Sequence, residues 1–132
     1  MYNNSKDGVT LYNLKEKADQ LAKSDRWEPY EYLDTCMKLQ FFPAQFTLCQ
    51  KLVKRAYTVL KRDNGADFET YRLLYDAGIE FLMKDPKNGD SEVVEFAFKK
   101  MKETKYKRKH MRIIFESWCE LKKFRCLAKR LP

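Results

Sequence analysis

At 132 residues the chain is long enough for one domain with a core of its own and short for two. Its 44% apolar content, with nine Phe and eight Tyr, excludes a disordered chain, while only four Gly and four Pro favour long elements over many short strands. The net charge of +8 is uneven: residues 1–98 hold 14 Lys/Arg against 16 Asp/Glu, and residues 99–132 hold 13 against 3, a distribution that points to an anionic partner at one end.

Apolar residues recur with the helical period along nearly the whole chain. Leu11, Leu14, Ala18 and Leu21 predict a first helix that fades near Ser24 and Asp25. Pro29 suits the first turn of a second helix, where its missing N–H costs nothing, and Tyr30, Leu33, Met37 and Phe41 form its stripe up to Pro43. A third helix spans about 44–62, with Phe46, Cys49, Leu52, Val53, Ala56, Tyr57 and Leu60 on one face. Asp67 is the expected N-cap of a fourth, whose wide stripe takes in Tyr71, Leu74, Tyr75, Gly78, Ile79, Leu82 and Met83. Gly78 in the middle of that stripe suggests close approach by another helix.

After the loop "KDPKNGDS" a fifth helix, about 91–104, buries Val93, Val94, Ala97, Phe98 and Met101. The sixth starts after Lys107 and is expected to bury Met111, Ile114, Phe115, Trp118, Leu121, Leu127 and Ala128. No segment alternates with period two. The expected fold is all-α, about six helices with consecutive ones antiparallel, in a single domain over 1–132 that is either complete or cut from a larger protein.

Two stretches resemble each other: "YLDTCMKLQFFPAQFTLC" and "EFAFKKMKETKYKRKHMRII" each run from an apolar helix end through Met-Lys and an aromatic-bearing connector into a new helix. The pairs Met37-Lys38 and Met101-Lys102 lie 64 residues apart, twice 32. This resembles the helix-pair units of the tetratricopeptide and pentatricopeptide families, whose repeats are close to that length. The resemblance implies stacked helical hairpins, an α-solenoid. It transfers no functional residue, because the tetratricopeptide Trp-Leu-Gly-Tyr pattern and the base-reading positions of the pentatricopeptide family have no match. A compact six-helix bundle or another helix-pair scaffold stays open.

Residues for chemistry are few. His110 is the only histidine, and Cys119, nine residues on, would start ~13 Å away along one helix. Cys119 and Cys126 are two turns apart, too far to converge on one metal ion. Cys36, Cys49, Cys119 and Cys126 read as core or half-buried free thiols of a reduced, intracellular protein. Gly8, Gly65, Gly78 and Gly89 stand singly, so no phosphate-cradling loop is expected. No catalytic group, cofactor, metal, small-molecule substrate or membrane span is expected, since no apolar run approaches ~20 residues.

The basic end carries the functional expectation. Lys99, Lys100 and Lys102 fall on the outer side of the fifth helix, Lys105, Lys107, Arg108 and Lys109 crowd the turn, and Arg112 sits one turn into the sixth helix. Lys122, Lys123 and Arg125, then Lys129 and Arg130, follow. With His110 as an exposed member and Tyr106 and Phe124 as stacking rings, the set predicts contact with RNA or another polyanion. The alternative is a protein–protein adaptor whose aromatic cluster, Trp27, Tyr30, Tyr32, Phe41 and Phe42, holds a partner helix or peptide. The apolar recurrence in "LAKRLP" leaves room for a homo-oligomer.

Overall fold

The computed structural model describes residues 2–23, 28–40, 42, 45–63, 65–85, 87 and 91–129, the side chains of 2–9 and 127–129 excepted. Six helices account for nearly all of them: α1 (Tyr2–Lys23), α2 (Pro29–Leu39), α3 (Phe46–Arg62), α4 (Phe68–Lys84), α5 (Ser91–Thr104) and α6 (Arg108–Lys129). No strand occurs among the described residues, so the fold is all-α. None of the helices is long and apolar enough to cross a membrane.

The chain gathers into two compact units, Met1–Gly65 and Ala66–Pro132, each of three helices. In the first, α2 lies along α3 and α1 packs on both. Tyr32 meets Arg55 and Cys36 meets Cys49, so α2 and α3 run antiparallel. Their apolar stripes close on each other: Tyr32, Leu33, Cys36 and Leu39 against Cys49, Leu52, Val53, Ala56 and Leu60. Ala18 and Leu21 bring α1 onto this core, and an exposed Lys17–Glu31 pair at 3.0 Å joins α1 to α2. The observed face of α2 is rotated from the expected one. Tyr30 is exposed and Met37 half-buried, because Tyr32 and Cys36 point at α3 instead.

In the second unit α4 lies along α5. Asp67 caps α4 as expected, its carboxylate accepting from the Thr70 backbone N–H at 3.0 Å and the Thr70 hydroxyl at 2.8 Å. The expected use of Gly78 is also found: a Cβ there would lie 2.9 Å from Val94 Cγ2. The missing side chain is what lets α5 come that close. Every residue of the predicted α5 stripe is buried. Met83, by contrast, is 50% exposed, and it is Phe81 and Leu82 that the last turn of α4 buries.

The sixth helix departs most from the periodic reading. Phe68 meets His110 and Tyr75 meets Ser117, so α6 runs parallel to α4 and antiparallel to the α5 between them in sequence. Its inward side chains are His110, Ser117, Leu121 and Phe124. Ile114 is half-buried, and Met111, Phe115 and Trp118 face out, 53%, 64% and 42% exposed. Leu127 and Ala128 fall outside the described side chains.

Candidate nucleic-acid interface

Two polar anchors set the rotation of α6. His110 occupies its first turn, and its ring stacks on Phe68 with centroids 3.8 Å apart and planes 9° from parallel. Nδ1 accepts the backbone N–H groups of Tyr106 and Lys107 at 3.3 and 3.4 Å. This is the work that Glu or Gln does at the third helical position of a capping box, reaching back to free donors at the helix start. The acceptor role places the ring proton on Nε2, which faces Glu69 at 3.8 Å, too far for a hydrogen bond. His110 was expected in the exposed basic cluster. It is 1% exposed, because its ring fills the gap between Phe68 and the edge of Tyr106.

The second anchor is the Tyr75 hydroxyl, which donates to the Ser117 carbonyl at 2.8 Å and lies 3.0 Å from Glu120 Oε1. Burial and the neighbouring Glu120 carboxylate push the ionisation of this phenol well above its ordinary range. It therefore keeps its proton and can donate to these acceptors. Next to it, burial raises the Asp76 carboxyl to about 6, against the opposing pull of Arg72. On the far turn of α6, Arg125 grips Glu95 of α5 through Nε at 2.9 Å and Nη2 at 2.6 Å. Its guanidinium is thus held between two helices and is not a free contact for phosphate, as the sequence had suggested.

With those anchors fixed, the outer face of α6 is determined. Arg108, Met111, Phe115, Trp118 and Lys122 follow at three- and four-residue steps, so they form one stripe. Phe115 and Trp118 touch at 6.4 Å between centroids, and Lys122 Nζ lies 4.9 Å above the indole. Tyr106, in the turn before α6, is 75% exposed, with Lys107 Nζ 5.3 Å over its ring and the ring against His110. Beside the stripe Arg112 meets Glu116 at 3.4 Å, but both ends are so exposed that the pair is weak. Lys105, Lys109 and Lys123 are exposed as well.

Other expected contacts are spread more thinly. Lys99 and Lys102 are exposed on α5, where Lys102 Nζ rests 5.0 Å over Phe98, and Lys100 is engaged by Glu103 at 3.2 Å. Phe124, expected as a stacking ring, is 6% exposed and belongs to the core. The exposed rings at this end are Tyr106, Phe115 and Trp118, the last two of which periodicity had assigned to the interior. Seven-residue spacing of His110, Ser117 and Phe124 around Leu121 was the available signal, hidden because two of the four are polar.

Three of the five residues in the expected aromatic cluster of the first unit are described. Tyr32 is fully buried with its hydroxyl accepting from Arg55 Nε at 3.4 Å, so it presents nothing to a partner. Tyr30 is exposed and Phe42 half-buried, while Trp27 and Phe41 lie outside the described residues. Cys36 and Cys49 are core thiols, Cys119 is half-buried and Cys126, on the outer side of α6, is exposed rather than buried. No group of three or more His, Cys, Asp or Glu side chains among the described residues could hold a metal ion. The chain matches no known protein family, no characterised protein and no solved structure.

Proposed function

We propose that this protein is a non-enzymatic helical module that binds single-stranded RNA, or a polyanion like it, along the outer face of α6. The observation that supports this most is the exposed Phe115–Trp118 pair on one stripe with Arg108 and Lys122, together with the exposed Tyr106 and Lys107 in the turn before the helix. Unstacked bases lie on aromatic faces at ~1–3 kcal/mol each whatever their sequence, and neighbouring cations neutralise the backbone. A solvated helix face has no use for exposed Phe and Trp. A core helix has none for the cations. The turn 105–109 supplies the densest positive charge, held in place by the ring of His110.

A salt titration against poly(U) RNA tests the proposal. Each phosphate contact should contribute about −0.7 to the log–log salt slope, so replacing Lys105, Lys107, Arg108 and Lys109 by Ser should flatten it by nearly 3 units. Binding should weaken equally for other base sequences. A wild-type protein with no salt-dependent RNA binding, whose quadruple variant still captures a protein partner, would establish the adaptor reading instead.

A further inference from the structure

The excess of cations near the C-terminus hides a second concentration of charge in the first unit. Helix α3 carries Lys51, Lys54, Arg55, Lys61 and Arg62 and not one carboxylate. Its buried face is wholly apolar, so all five cations are confined to the opposite side. Arg55 is drawn aside to the Tyr32 hydroxyl. The other four are exposed and have no ion pair within 4.0 Å among the described residues. Steps of three and seven residues put Lys51, Lys54 and Lys61 in one ridge, ~15 Å long at ~1.5 Å per residue, with Arg62 beside its end.

The helix dipole accounts for Lys61 and Arg62, which lie in the C-terminal turn where positive charge is favoured. It does not account for Lys51 and Lys54, nor for their repulsion of each other across one turn. A merely solvated face mixes signs, as α2 does with Asp34 and Lys38. Like charges left uncompensated here are what a polyanion would neutralise.

The ridge also differs in kind from the α6 face. The exposed Thr47 precedes its lysines by one turn and the exposed Thr58 lies between them, while its one ring, Tyr57, is half-buried with Lys61 Nζ 5.1 Å from its centroid. A helix lying on a lipid surface would show an apolar wedge, and a protein-docking face would show an apolar or aromatic anchor. This ridge shows neither. Flexible point charges with no apolar anchor suit a phosphodiester backbone read without regard to sequence. We infer that the exposed ridge of α3, centred on Lys51, Lys54 and Lys61, is a second contact surface for the backbone phosphates of single-stranded nucleic acid. It takes the same ligand chemistry as proposed for α6 but stands on a separate helix in a separate unit.

The test uses the full chain and poly(U) RNA. Changing Lys51, Lys54 and Lys61 together to Gln, a residue that keeps the helix, should flatten the salt slope by roughly 2 units and weaken binding tens of fold at ~0.15 M salt. Changing the same three to Arg should leave the slope as in wild type. Circular dichroism and the melting temperature of both variants serve as folding controls. A triple Gln variant with wild-type slope and affinity, alongside a weakened α6 quadruple variant, overturns the ridge and leaves the α6 reading standing. The reverse pattern overturns α6 and supports the ridge. Loss in both variants, adding on the logarithmic scale, supports both surfaces. Binding of phosphatidylserine vesicles through these lysines, with no binding of poly(U), overturns the inference in favour of a lipid surface.

Discussion

Helices α3 and α6 are both basic and amphipathic, yet they are held by opposite means. Six apolar or thiol side chains anchor α3: Cys49, Leu52, Val53, Ala56, Val59 and Leu60. Its polar side, Arg55 and Gln50 apart, is left to solvent. Among the described side chains of α6 only Leu121 and Phe124 are buried apolar residues, and the helix is oriented by the His110 cap, the Tyr75 hydrogen bond and the Arg125–Glu95 fork. When polar groups choose which side of a helix faces in, apolar residues can be left outside. Met111, Phe115 and Trp118 are left there, available to a ligand.

The largest effects should separate the two helices by stability. Leu60→Ala in α3 should cost about 2–5 kcal/mol in urea unfolding, the usual penalty for emptying a packed site. Phe115→Ala and Trp118→Ala in α6 should each stay within ~0.5 kcal/mol of wild type while weakening RNA binding by ~1–3 kcal/mol per lost stacking ring. A Phe115→Ala loss of several kcal/mol in stability would show that the stripe packs against something and would end the comparison.

Next in size is the cap. His110→Ala removes a stacked ring and the acceptor for two backbone donors, and should cost about 1–3 kcal/mol. Hydrogen exchange at the Tyr106 and Lys107 amides should accelerate with it. His110→Gln, able to reach the same donors, should recover part of the protection. Unchanged exchange at both amides would mean that the turn is set by something else.

A smaller loss, about 0.5–1.5 kcal/mol, is expected for Tyr75→Phe, which deletes the hydroxyl shared by Ser117 and Glu120 and keeps the ring. If the mutant is as stable as wild type, this hydrogen bond does not orient α6.

The smallest effect is a pH dependence. Asp76 has its carboxyl raised to about 6, above the ~3.9 of an unfolded chain, so its protonated form favours the fold. That contribution is complete below about pH 4 and is lost as pH rises through 6. The side chain is 39% exposed, so screening limits the effect to about 1 kcal/mol. Asp76→Asn should therefore match wild type near pH 4 and exceed it by about that amount at pH 7.5. Equal stability at both pH values would show that Arg72 fully compensates the carboxylate.

The sequence by itself determined the number and type of elements, since a 3.6-residue apolar period, the Asp67 cap and the Pro29 start act within a turn or two of chain. It also determined the inward face of α5, because Val93, Val94, Ala97, Phe98 and Met101 form one narrow stripe with no rival, and Gly78 marked the seam that receives it. The basic turn at 105–109 was legible too, as charge needs no partner to be counted. Tertiary structure alone decided the rest. Apolar residues circle more than half of α6, so periodicity offers two inward faces, and hydropathy favours the one carrying Phe115 and Trp118. The face that won contains His110 and Ser117, which are favourable inside only because Phe68, Tyr75 and the preceding turn complete their contacts. Tyr32 on α2 went inward for the same reason, its ring packed and its hydroxyl met by Arg55. A side chain's period can be read locally, but the partner that makes its burial favourable lies tens of residues away.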